Sequence, residues 1–274
     1  MSTRILAWLL CPALAVAATT GPTPRLADGH PDLTGNWEGV TGSTSALARP
    51  RGPAPAGSIN AAMMSPELAA VALKQMSETG AGKAAAALRG TQPLPQFRTP
   101  ELARRAEELW QHGSDTDPVV ACGQPGLPRV GAPLKIVQTA RELVFLYADW
   151  SGMAWRVVPT DGRGFRERLD PSFYGDAVGH WEGDSLVVET RNLSEETWFG
   201  EYGYFHSDKL RVIERFTRHG DELTWQVTVE DPEVLAQPWE KRPVDMRRTG
   251  QQLEEPYRCV VTPTSGGHHE QRVP

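Results

Sequence analysis

Apolar and polar residues alternate with a period of two along much of the chain after residue 134. Between residues 179 and 192, two such segments meet at the turn Glu182-Gly183-Asp184. A second pair, within 210–230, meets at His219-Gly220-Asp221. Glycine beside acidic residues supplies the positive φ of a tight turn, and strict alternation gives each strand one buried face. Consecutive hairpins of this kind predict an antiparallel meander, which can close into a barrel.

The strand pattern recurs in segments separated by turn residues. It covers 36–40, 134–139, 142–147, 154–159, 177–182, 185–192, 210–218, 222–229 and 239–248. We therefore expect a mainly β fold: an antiparallel up-and-down barrel of about 8–9 strands, which is the size of small closed barrels.

A helical insertion interrupts this pattern near the N-terminal side. The span 43–115 is rich in Ala and Pro, and Ser65-Pro66-Glu67 and Thr99-Pro100-Glu101 both have the cap, proline and acidic residue that begin helices. These starts predict helices that run to about Thr79 and to about His112.

The N-terminus is typical of an export signal. Arg4 precedes the apolar residues 5–16, and the small residues around 15–17 form a cleavage site. We expect a signal peptide at 1–17, a leader at 18–34, the barrel with its insertion at 35–262 and a disordered tail at 263–274. The mature protein would then be periplasmic or extracellular, with no membrane insertion. Lipid attachment at Cys11 is the competing interpretation.

Signal cleavage would leave two cysteines, Cys122 and Cys259. Two cysteines in an exported protein predict one disulfide, which would stabilise the fold by about 4 kcal/mol because the closed loop is long. Two buried free thiols are the alternative.

Composition narrows the range of partners. The net charge of −6 argues against nucleic acid and anionic membranes, which need clustered Lys and Arg. The sequence has no phosphate-binding or dinucleotide-binding motif, and its histidines lack metal-ligand spacing. We expect no cofactor and no specific metal site, while the oligomeric state stays open.

Two sets of motifs resemble known proteins. Gly35-Asn36-Trp37 is similar to the glycine-any-tryptophan motif of lipocalins, in which the Trp packs across the barrel floor. Further motifs resemble a large group of secreted bacterial lipocalin-like (calycin-type) barrel proteins; they are Pro31–Trp37, Gly175–Thr190, His206–Asp208, Glu214–Phe216 and Glu230–Pro232. The resemblance covers most of residues 28–259 and departs from the group in 43–96. It implies the barrel fold and export, and no particular reaction.

The connection between the two hairpins carries the best candidate for chemistry. His206 could act as a general base with Asp208 orienting it, and Tyr174 or Tyr204 could act as the acid. Tyr202 lies in the same connection and would contact a ligand. The alternative is a loop in which His and Asp only cap turns.

Polar residues on the strands supply further candidates for ligand binding. His180 and Glu182 share one face of a strand, whereas Trp181 faces the other way, so either set could point into the barrel. Asp176 lies near the predicted rim, where a turn role is the alternative.

Glu214 and Arg215 lie side by side in a strand, so one of them must face inward. The inward side chain needs a partner, because an unpaired buried charge costs several kcal/mol. Arg156 and Arg247 are the candidate partners for a structural ion pair, and contact of Arg215 with a ligand is the alternative.

Aromatic residues, Trp198 among them, are frequent in the barrel segment and serve either the core or a pocket.

Three interpretations of the function fit this sequence. The first is a secreted barrel that binds a small, largely apolar organic molecule in its cavity. The alternative is a cofactor-independent lyase, isomerase, cyclase or hydratase that uses the same cavity. A third interpretation is an envelope protein whose helical insertion docks a partner.

Overall fold

The structure is a computed structural model that describes residues 21–39, 93–149 and 152–254. Its strands are β1 Gly35–Gly39, β2 Lys135–Gln138, β3 Glu142–Asp149, β4 Gly152–Pro159, β5 Asp176–Glu182, β6 Ser185–Arg191, β7 Arg211–His219, β8 Glu222–Glu230 and β9 Trp239–Thr249. Helix α1 spans Pro100–Gln111, and a single turn of helix, α2, spans Gly113–Thr116.

The nine strands form one antiparallel sheet in the order β4-β3-β2-β1-β9-β8-β7-β6-β5. Because each strand is antiparallel to its neighbour, the two outer strands of the nine, β4 and β5, run in the same direction. These edges approach closely, since a Cβ on Gly179 of β5 would lie 2.9 Å from Val158 Cγ1 of β4. The sheet therefore curls into a nearly closed, lipocalin-like barrel, as the strand pattern predicts.

Alternation along the strands separates the interior from the exterior. In β7 the residues Val212, Glu214, Phe216 and Arg218 are buried, and the residues between them are partly exposed. Phe216 lies directly opposite Trp225 of β8, which is buried on the same face. Inward residues of facing strands thus form one core.

One end of the barrel, here called the floor, contains the turns at Gly183 and Gly220. Both glycines have the positive φ expected of them, 59° and 60°. Trp37 packs here, donating its indole N–H to Leu33 O, while the Arg218 guanidinium lies 5.4 Å from the Trp37 ring centroid. Trp37 is 2% exposed, so its ring belongs to the core at this end of the barrel.

The opposite end, here called the cap end, is covered by α1 and by residues 198–205, the cap hairpin. Phe199 N donates to Tyr204 O at 2.9 Å within this hairpin. Helix α1 begins at the predicted place, because the Thr99 hydroxyl caps Leu102 N. Gly203 permits close packing: its φ is 71°, and a Cβ there would lie 2.1 Å from Ala106 O of α1.

Observed strand limits differ from the predicted ones by two residues at most. The predicted signal peptide, the helix starting at Ser65, Cys259 and the C-terminal tail lie outside the described residues, so those predictions stay open, the disulfide included. No helix within the described ranges is long and apolar enough to cross a membrane.

Candidate functional site

The centre of the barrel holds a buried ion pair. Arg156 Nη2 of β4 donates to Glu214 Oε2 of β7. Arg156 Nε donates to Tyr147 OH at 2.8 Å, and Nη1 donates to Thr190 Oγ1 at 3.0 Å. Trp225 Nε1 donates to the second Glu214 oxygen at 3.0 Å. Of the adjacent residues Glu214 and Arg215, Glu214 is therefore the one that faces inward. Its partner is Arg156, one of the two predicted candidates.

The other candidate, Arg247, instead pairs with Glu38 on the outer surface. Inside the barrel, burial raises the pKa of Tyr147, so its phenol stays protonated and can accept from Arg156. Each side-chain nitrogen of Arg156 and each carboxylate oxygen of Glu214 has a hydrogen-bond partner, which favours tolerance of the buried charges.

Side chains occupy the interior around this pair. Phe145, Phe216 and Trp225 are at most 1% exposed, and Arg156 and Glu214 are at most 4% exposed. Around this pair the barrel interior is thus filled with side chains, where the sequence suggested a cavity.

His206 is buried below the cap hairpin, and its two ring nitrogens already have partners. Nε2 lies 3.0 Å from Thr197 Oγ1, and Nδ1 lies 2.8 Å from Ser207 O. Burial lowers the pKa of His206, so the neutral imidazole is favoured.

The predicted contact between His206 and Asp208 is not formed in the structure. Asp208 is exposed and pairs with Lys209 at 2.6 Å. A different carboxylate, Asp231, accepts from Ser207 N at 2.8 Å and from Ser207 Oγ at 2.9 Å. It also accepts from the backbone of the following turn, so this region resembles the predicted alternative of turn caps.

Tyr174 and Asp176 are two positions apart in the chain and have separate partners. Asp176 accepts from the backbone and guanidinium of Arg166, both at 2.7 Å. Tyr174 donates to Gln124 Oε1 at 2.7 Å, and its ring stacks on Tyr147 with centroids 6.2 Å apart. Tyr174 thus touches the interior network, whereas Asp176 holds a loop.

His180 and Glu182 share a face, as expected, and that face is the outer one. His180 Nε2 lies 3.1 Å from Glu182 Oε1, and Arg215 donates to the other carboxylate oxygen at 2.5 Å. The hydrogen bond from Arg215 and, to a smaller extent, that with His180 lower the pKa of Glu182. Trp181 faces inward and stacks on His30 with centroids 4.6 Å apart. These polar residues therefore lie away from the barrel interior.

A concave, apolar site lies at the cap end, between α1 and the cap hairpin. We call it the aromatic groove; its volume is about 350 Å³, and it is lined by Leu94, Phe97, Ala103, Ala106, Glu107, Trp110, Tyr202 and Tyr204. Two predicted site residues, Tyr202 and Tyr204, belong to it. Trp198, a third predicted site residue, is not part of the lining: it is buried, with the Arg129 guanidinium 5.4 Å from its ring centroid.

The rings of the groove stand at steep angles to one another. Trp110 and Tyr202 have centroids 4.8 Å apart with an interplanar angle of 68°, and Tyr202 and Tyr204 are 5.8 Å apart at 58°. Phe97 and Tyr204 are 6.1 Å apart at 63°. Burial raises the pKa of Tyr204 to about 12, so its hydroxyl stays protonated at neutral pH. The groove thus has aromatic walls and a phenol.

Sequence reasoning missed the α1 side of this groove. The near-helical spacing of Leu102, Ala106, Leu109 and Trp110 indicates an apolar helix face, but such a face is ordinarily core. Here Ala106 is buried while Trp110 stays 45% exposed, which marks the end of that face as a surface site.

Within the described ranges, three or more His, Cys, Asp or Glu side chains do not come together in a way that could hold a metal ion. The chain matches no family model, no curated protein and no solved structure in comparisons with known proteins. The functional argument therefore rests on the geometry of this chain.

Proposed function

We propose that this chain is an exported barrel protein that binds a small, largely apolar organic molecule in the aromatic groove. The supporting observation is the groove itself: about 350 Å³ of concave space with four aromatic side chains around it. Ligand pockets of proteins begin at about 300 Å³ and are mostly apolar with a few polar groups.

Exposure of the lining supports the same proposal. Leu94 is 73% exposed and Trp110 is 45% exposed, although both are large apolar residues. A ligand that covered them would remove apolar surface from water, a gain of about 25 cal/mol per Å². The Tyr204 hydroxyl and the Glu107 carboxylate would supply orientation.

The barrel serves this site as a scaffold. Trp239 of β9 packs against Phe199 and Tyr204, with centroids 5.5 and 6.3 Å away. Its indole N–H donates to Pro93 O at 2.6 Å, next to the groove residue Leu94. The filled interior thus gives rigid support to the rings that would hold the ligand.

The acid–base alternative has less support from the same residues. His206 is buried with both nitrogens engaged, and Asp208 is turned to Lys209 at the surface. A general base must reach the proton that it abstracts. We therefore favour binding without chemical change.

Dye titration tests the proposal. A neutral solvatochromic dye such as Nile red should bind the wild-type protein, and Trp110→Ala should weaken that binding by about tenfold or more. Trp155→Ala is the matched control, since Trp155 is 65% exposed on the outer face of β4. Equal affinity of wild type, Trp110→Ala and Trp155→Ala would exclude the groove as the site.

A further inference from the structure

Strand β9 contains an irregularity that changes which of its side chains face the barrel interior. Trp225 of β8 lies opposite Val244, and Val227 lies opposite Lys241, so two residue steps along β8 match three along β9. The bulge contains Pro243, which has no N–H to donate to the ladder. Because a β-bulge redirects neighbouring side chains, Lys241 and Val244 both lie opposite buried residues of β8.

The Lys241 ammonium points to the apolar side of the sheet. It lies 5.6 Å from the ring centroid of Trp225, which is buried and donates its indole N–H to Glu214. Trp239, two residues before Lys241 in the same strand, is buried on the same face. Within the part of the chain that the structure describes, Lys241 forms no hydrogen bond and no ion pair. The amine therefore lies among aromatic rings without a carboxylate paired with it.

An interior ammonium without an ion-pair partner is costly, since it loses hydration and gains no opposite charge at short range. This loss of hydration lowers the pKa of Lys241, and the negative charge of Glu201 in the cap hairpin opposes the change only in part. A lowered pKa increases the fraction of neutral amine near neutral pH, and the neutral amine is the nucleophile. Desolvated lysines of this kind serve other proteins as sites of imine formation.

Lys241 lies at the cap end of the barrel and is partly exposed, so a small molecule can approach it from this end. Glu201 influences the pKa of both Lys241 and Tyr204, which places the amine below the cap hairpin. Lys241 is not among the residues that line the aromatic groove. The amine is thus a second position at the cap end, separate from the groove.

We propose that Lys241 is a covalent binding site for a small, apolar aldehyde. The neutral Nζ adds to the carbonyl carbon, both N–H protons leave with the carbonyl oxygen as water, and a C=N bond joins Nζ to the ligand. The step is reversible and changes no oxidation state. The rings of Trp225 and Trp239 favour an apolar frame on the aldehyde. This inference goes beyond the proposed function and does not depend on binding in the groove.

Reductive trapping on the full chain tests the site. Benzaldehyde and cyanoborohydride near neutral pH convert each imine into a stable secondary amine, and peptide mapping by mass spectrometry locates it. Lys241 should be modified at least about tenfold faster than Lys209, because the hydrogen bond with Asp208 raises the pKa of Lys209. Lys241→Met should abolish the fast phase, whereas the matched change Lys209→Met should leave it intact.

Other results contradict the proposal. If Lys209 or Lys135 reacts as fast as Lys241, or if Lys241 does not react, the amine is either charged or out of reach and the site is overturned. If Lys241 captures formaldehyde quickly but not benzaldehyde, the amine has no room for an apolar aldehyde and the proposal is again wrong. Nile red binding through Trp110 succeeds or fails separately, so the proposed function is tested independently of this site.

Discussion

Arg156 of β4 and Glu214 of β7 meet at the centre of the barrel, and each has further hydrogen-bond partners within the core. The pair joins two strands that are not neighbours in the sheet, across the interior where a ligand cavity was expected. Its hydrogen bonds explain how two charges remain inside a packed core, and its position is the reason why we propose a ligand site at an end of the barrel.

Removing one member of this pair should be costly. Glu214→Gln or Arg156→Met should each lower the free energy of unfolding by about 3–5 kcal/mol, because the remaining charge or polar group loses its partner in the core. Urea denaturation measures this. The double change Arg156→Met/Glu214→Leu should cost less than the sum of the single changes; simple additivity would show that the two residues are not coupled.

Stability should depend on glycine at position 203, because a side chain there would collide with α1. Gly203→Ala should lower the free energy of unfolding by at least about 1 kcal/mol more than Gly183→Ala. Both glycines have positive φ, but only at Gly203 would the new Cβ meet backbone, Ala106 O at 2.1 Å, whereas nothing lies within 4 Å at Gly183. Thermal and urea unfolding of the two variants gives the comparison. Equal losses would show that α1 does not pack against the cap hairpin as described.

His206 should make the fold sensitive to acid. Burial lowers its pKa below the value of 6.5 expected for the unfolded chain, so the unfolded state binds the proton first. The stability that neutral His206 contributes is therefore complete above about pH 6.5 and is lost as the pH falls through the lower folded value. Unfolding experiments between about pH 7.5 and about pH 5 should show a steeper loss for wild type than for His206→Gln. Parallel curves would contradict the buried, neutral histidine.

The strands could be predicted because their side chains alternate with a short, local period. Even the need for an inward ion pair at Glu214 or Arg215 was predictable, since alternation places one of two adjacent charges inside. The groove was not, because Trp110 and Tyr202 lie far apart in the chain and meet only after α1 packs on the cap hairpin. The predicted pairing of His206 with Asp208 is not observed for a similar reason: Thr197, more distant in sequence than Asp208, lies at Nε2 of His206.

The indole N–H signals of the tryptophans give the most direct test of the proposed ligand site. A neutral aromatic probe such as 2-naphthol, titrated into ¹⁵N-labelled protein, should shift the Trp110 signal saturably and leave those of Trp155 and Trp225 in place. Trp155 reports the outer wall, and Trp225 reports the interior through its bond to Glu214. A saturable shift of Trp225 with Trp110 unmoved would place the ligand inside the barrel and contradict the groove.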